Sequence, residues 1–118
     1  MVNYCFVLPL LPGKMELSKK FAEENGSGKE HDEFYKIAGI THEQVWIQRS
    51  PTGSGAPNLE IASIETEDPA NTLKEFVTSD HRWAVKFRKF ATEAFGMDLT
   101  TGPTPPLNEL LVDWNERK

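Results

Sequence analysis

The sequence is almost without cysteine. Cys5 is the single one in 118 residues, so no disulfide can form within the chain, and with no CxxC or clustered Cys/His pattern a structural zinc site lacks its ligands. A reducing, cytoplasmic setting is the expectation. Positive charge is not in excess either, since 13 Lys and Arg stand against 18 Asp and Glu for a formal net charge of -5. Without a basic field to hold a phosphate backbone, nucleic acid is not an expected partner. Long apolar runs are missing too. Tyr4 to Leu11 has no basic residue before it and is broken by Pro9 and ended by Pro12, well short of a membrane span, so it reads as a buried strand and no membrane association is expected. No GxSxG or HExxH occurs, and Gly53-x-Gly55 leads into a strand rather than a helix. A serine nucleophile, a zinc site of that class and a nucleotide loop are therefore not indicated, and no cofactor is implied.

At this length one core and one domain, 1–118, are expected. Asn3 to Leu10 is apolar on both alternating faces, Tyr4, Phe6 and Leu8 on one and Cys5 and Val7 on the other, which predicts a strand covered on both sides. Met15, Leu17, Phe21 and Ala22 recur at helical spacing up to Asn25, and Gly26-Ser27-Gly28 stops them. From Lys29 the pattern resumes with Phe34, Ile37 and Ala38 until Gly39, as one interrupted helix or two short ones.

Thr41 to Arg49 alternates imperfectly, with Glu43, Val45, Ile47 and Arg49 on one face and His42, Gln44, Trp46 and Gln48 on the other. Leu59 to Thr66 alternates again, Leu59, Ile61 and Ser63 opposite Glu60, Ala62 and Ile64, so the two runs form a hairpin across the turn-rich 50–57 loop. Asp68-Pro69 is a capped helix start. Ser79 or Asp80 caps the next helix, whose Trp83, Phe87, Phe90, Ala91, Ala94 and Phe95 make the clearest amphipathic stripe, closed by Gly96. After a proline-rich connector from Thr100 to Pro106, Leu107 to Trp114 predicts a last strand.

The resulting fold class is α+β, a ferredoxin-like βαββαβ with a four-stranded antiparallel sheet. Both helical layers then cover one sheet face. The other face, apolar through the first strand, Trp46 and Trp114, is left to pair with a second copy, so a homodimer through the sheet face is expected.

Tyr4 to Leu10 leading into Pro12-Gly13-Lys14, Gly39 to Trp46 at the entry of the second strand, Asp68-Pro69 and the Ser79-Asp80-His81 junction together resemble the dimeric α+β-barrel superfamily. That superfamily includes antibiotic-biosynthesis monooxygenase-like and EthD-like proteins and many small bacterial ones. The resemblance spans nearly the whole chain, and its motifs are architectural. It implies the barrel dimer and does not choose among oxygenases, isomerases, dehalogenases, decarboxylases and non-enzymatic members.

Chemistry is sought in few residues. His81 stands at a helix start next to Trp83 and can exchange protons near neutral pH, or it is an ordinary solvent-facing helix-end residue. Glu43 in an apolar surrounding would have a raised pKa and act as base, with Arg49 gripping a substrate carboxylate. In the plainer reading Arg49, Glu43 and Glu60 are cross-strand ion pairs. Trp46, Trp83 and Trp114 are apolar anchors of core, interface or ligand. His31 sits in a charged segment that reads as a solvated helix face, and His31, His42 and His81 have no compact metal-ligand spacing, so no metal is expected. The catalytic candidates are thus His81 and Glu43, and the substrate-binding ones Arg49, Glu60, Trp46 and Trp83. The function expected is a cofactor-independent oxygenase or isomerase acting on a small hydrophobic or aromatic compound. The alternative is a non-catalytic dimer that binds a ligand or a partner.

Overall fold

The computed structural model describes residues 2–100 and 107–116. Three strands and four helices follow one another as β1 (Val2–Pro9), α1 (Met15–Asn25), α2 (Lys29–Ala38), β2 (Ile40–Gln48), β3 (Leu59–Thr66), α3 (Pro69–Thr78) and α4 (Arg82–Phe95). Gly26-Ser27-Gly28 therefore separates two helices. β3 lies in the middle of the sheet, in the order β1-β3-β2, and pairs antiparallel with both neighbours.

Alternation along the strands assigns the faces. Tyr4 and Ile64 are cross-strand partners that pack with Leu73 of α3, while Leu8 and Ile47 reach Phe90 and its neighbours on α4. All four helices contribute apolar residues to this one side of the sheet. Phe34, Tyr35, Phe76 and Trp83 close the core between α2, α3 and α4. Among the described residues no element covers the opposite side, and in the ladder Val7, Ile61 and Trp46 stand abreast across the three strands, with Val7 56% and Trp46 47% exposed.

Helix ends follow local chemistry. Asp68 Oδ1 accepts from Asn71 N at 3.2 Å and Pro69 occupies the first turn, where its missing N–H removes an orphan donor. α4 is capped by neither Ser79 nor Asp80: the His81 imidazole accepts the Trp83 N–H at Nδ1, 3.1 Å away. Arg88 donates to Phe76 O at 2.9 Å and to Ser79 O at 2.6 Å, satisfying carbonyls at the end of α3 and tying it to α4.

Among the described residues the sheet has three strands in place of the four expected. The described part of the C-terminal segment, 107–116, has no ladder partner, and Leu110, Leu111, Val112 and Trp114 are each at least 76% exposed. At the outer edge of β1, the Cys5 N–H is met by the Asn108 side-chain oxygen at 2.6 Å, a side-chain contact where a ladder bond would otherwise lie. Most of the predicted proline-rich connector, 101–106, lies outside the described residues. Among the described residues no helix is long and apolar enough to cross a membrane.

Candidate functional site

A cavity of about 130 Å³ lies between the helices and the sheet. Rings form a large part of its apolar wall: Phe6 from β1, Phe21 from α1, Phe76 from α3, and Trp83, Phe87 and Phe90 from α4. Phe21 stacks on Phe90 with centroids 4.2 Å apart, and Trp83 on Phe87 at 5.6 Å. Such packed rings hold one another in place and give the wall a fixed shape. Trp83 Nε1–H donates to Asn25 O at 2.8 Å, so its polar end is already satisfied and its ring serves as wall.

Two carboxylates break this apolar lining, Glu43 from β2 and Glu60 from β3. Tyr35 Oη donates to Glu43, 2.8 Å from either carboxylate oxygen, and Ser18 Oγ donates to Glu60 Oε1. Burial pushes both glutamates above the ordinary carboxylate range, because a charge taken out of water is disfavoured. The Tyr35 bond and nearby His31 offset part of this for Glu43, and the Ser18 bond does so for Glu60, on which the Glu43 charge acts in the upward direction. Burial beside the Glu43 charge also raises the Tyr35 phenol far above its usual value, so Tyr35 remains a donor throughout the neutral range.

Glu43 reaches the cavity because of a backbone irregularity. Ile40 pairs with Thr66 and His42 with Glu65, leaving Thr41 as an extra residue in the ladder. Ile40 points to the helices, where it packs in the core. In a regular strand His42, Gln44 and Trp46 would follow it inward. The bulge shifts the alternation by one, so Glu43, Val45 and Ile47 oppose Ile64, Ala62 and Glu60 on the helix side.

Of the residues singled out in the sequence, Glu43, Glu60 and Trp83 come together at this cavity. The others do not. Arg49 follows the end of β2 and is exposed, so it forms no cross-strand pair with either glutamate. Trp46 lies on the bare face, one residue out of phase with Glu43. His81 stands outside the cavity lining, its Nδ1 committed to the α4 cap and its Nε2 3.3 Å from Glu33 Oε2. With Nδ1 accepting, Nε2 carries the proton and donates to Glu33. The two catalytic candidates, His81 and Glu43, are therefore not brought together at the cavity.

His31 is not a solvated residue. Its ring lies over Tyr35 with centroids 3.8 Å apart and meets the edge of Trp83 at 5.7 Å, which braces the phenol that holds Glu43. His42 is on the other sheet face, and among the described residues no group of three or more His, Cys, Asp or Glu is placed to hold a metal ion.

Tyr35 and Ser18 are the site residues that the sequence reading missed. Each had a signal in the pattern. Ser18 is three and four residues before Phe21 and Ala22, on the apolar stripe of α1, and Tyr35 lies four residues after His31 and three before Ala38. Ser18 is 2% exposed. A hydroxyl buried on an apolar stripe needs a partner, and Glu60 supplies it. Comparison with protein-family models, with curated proteins and with solved structures returns no match, so the reading of this site rests on its geometry.

Proposed function

We propose that the cavity takes a small apolar or aromatic molecule and that Glu43 moves a proton on it, as in a cofactor-independent isomerase or oxygenase. The observation that carries this reading is the Glu43 carboxylate lining an otherwise apolar, ring-walled cavity with the Tyr35 hydroxyl donating to it. Burial raises the pKa of Glu43, and a carboxylate with a raised pKa is a stronger base once ionised, which suits it to general acid–base catalysis. Tyr35 orients the group and keeps its own proton. Isomerisation needs nothing further than this abstraction and return. Oxygenation without a cofactor begins with the same abstraction, the resulting carbanion then reacting with dioxygen.

The protein is further proposed to act as a dimeric α+β barrel, the bare sheet faces of two copies closing on each other. The apolar row of Val7, Ile61 and Trp46 supports this, as does the apolar C-terminal segment beside β1, which in a ferredoxin-like arrangement is the fourth strand.

The test of the chemistry is solvent exchange. Small aromatic and cyclic ketones, with and without an amino substituent, are incubated with the protein in deuterium oxide and their acidic C–H signals followed by NMR. Exchange above the buffer rate, falling on the order of 100-fold in Glu43→Gln, is expected. Binding without exchange by every compound in the panel would leave a non-catalytic ligand-binding dimer as the better account.

A further inference from the structure

We infer, resting on the reading of the cavity as a binding site, that its ligand is a small aromatic or cyclic amine, its ring among Phe21, Phe76, Phe87 and Phe90 and its ammonium group toward Glu43 and Glu60. The direction of the hydrogen bonds carries the argument. The Tyr35 and Ser18 hydroxyls are the donors placed at the carboxylates, and both are already spent on them. Trp83 Nε1–H is spent on the Asn25 carbonyl, and Asn25 at the wall brings donor and acceptor alike. A carboxylate has about four acceptor sites, so one or two donated bonds leave lone pairs unmet on each glutamate.

Among the described residues no Lys or Arg lines the cavity. Two carboxyl groups thus face an apolar space with His31 near Glu43 as the one cationic side chain that acts on them, an arrangement that disfavours an anionic ligand and leaves acceptors unmatched by a purely apolar one. A protonated amine meets both needs, giving donors to the carboxylates and a positive charge to the faces of the surrounding rings. The size agrees as well. A space of about 130 Å³ is of the order of the roughly 150 Å³ that holds a benzene ring in an apolar protein interior, which limits the ligand to a single small ring.

The experiment is an NMR titration of the full chain at neutral pH with four probes of similar size: benzylamine, benzyl alcohol, toluene and benzoate. Benzylamine is expected to bind at least about tenfold tighter than benzyl alcohol, a difference of about 1.4 kcal/mol, and benzoate not at all. Glu43→Gln and Glu60→Gln should each weaken benzylamine by about tenfold and leave toluene unchanged. Glutamine still accepts from Tyr35 or Ser18, and an unchanged near-ultraviolet circular dichroism spectrum verifies that each variant is folded. Equal affinity for benzylamine and benzyl alcohol, or a benzylamine preference that survives in both variants, would overturn the amine assignment and leave the cavity reading standing. Binding of none of the four would remove both.

Discussion

Tyr35 Oη lies 2.8 Å from both carboxylate oxygens of Glu43, joining helix α2 to strand β2 at one of the two carboxyl groups that line the cavity. The phenol is held by the His31 ring on one side and Trp83 on another. Its position is therefore set by packing before any ligand arrives, which is the condition for a precise acid–base group.

The pH dependence of stability follows from the two glutamates. Their folded-state pKa values lie above the unfolded value of about 4.3. Below that pH both states are protonated and the full stability is present. As pH rises from there through the folded-state values, the unfolded chain gives up its protons first and stability falls, levelling off once both glutamates are ionised in the native state. Urea midpoints measured from pH 4 to pH 8 should show this decline. Glu43→Gln and Glu60→Gln should each flatten it, and a decline of unchanged steepness in both variants would mean that other groups cause it.

Ala62 sits on the sheet floor of the cavity, opposite Phe6 on one side and Val45 on the other. Ala62→Leu puts three more carbons into that space. Filling a cavity in this way typically adds about 0.5–2 kcal/mol, so the variant should unfold at the same temperature as the parent or higher. It should also lose all binding of small ring compounds. A variant that is stabilised and still binds them would place their site elsewhere on the protein.

How much of this was legible in the sequence differs from element to element. The inward and outward sets of β1 and β3 follow directly from alternation, and the α4 stripe from Trp83 to Phe95 is buried as its spacing requires, with only Phe87 left partly exposed. The bulge at Thr41 shows in the sequence only as an imperfect alternation, yet it decides which of Glu43 and Trp46 enters the cavity. Ile37, read as core, is half exposed, while Tyr35 takes the buried place. On a short helix a stripe with several apolar residues can be rotated by one position, and the tertiary partner selects the face. The expectation of a fourth strand rests on β-forming residues and on the alternation that puts Leu110 and Val112 on the face of Trp114. Whether such a segment joins a ladder depends on an edge to pair with, and nothing local encodes that. The proton-exchange chemistry of histidine marks His81 as a candidate in the sequence, whereas its backbone position at a helix start gives it a capping task.

Thr72 and Thr66 form a buried relay. Their hydroxyls lie 2.8 Å apart, Thr72 Oγ1 donates to Ala38 O at 2.7 Å, and Thr66 Oγ1 accepts from Asp68 N at 3.3 Å. The chain of donors fixes the end of α2, the end of β3 and the start of α3 to one another. Thr72→Val keeps the shape but leaves the Ala38 carbonyl and the Thr66 hydroxyl without this partner in a site that water does not reach. The expected cost is about 1–3 kcal/mol in chemical denaturation. A loss under about 0.5 kcal/mol, the range of ordinary surface substitutions, would show that the relay contributes little.

The bare sheet face makes the strongest demand on solution behaviour. Val7, Ile61 and Trp46 form an apolar row across all three strands, and an exposed patch of this kind on an antiparallel sheet calls for a covering surface. If two copies cover each other, light scattering should give twice the 13.3 kDa chain mass. Trp46→Asp places a carboxylate at the centre of that interface without touching the helix-side core, since Trp46 points away from Glu43 and Val45. Burying an unpaired charge there is strongly unfavourable, so the variant should run as a folded monomer with unchanged helix content. Because the cavity lies on the other side of the sheet, binding of small ring compounds should survive in that monomer. A parent protein that is itself monomeric at micromolar concentration would exclude the barrel. A Trp46→Asp protein that remains dimeric would move the interface to another surface.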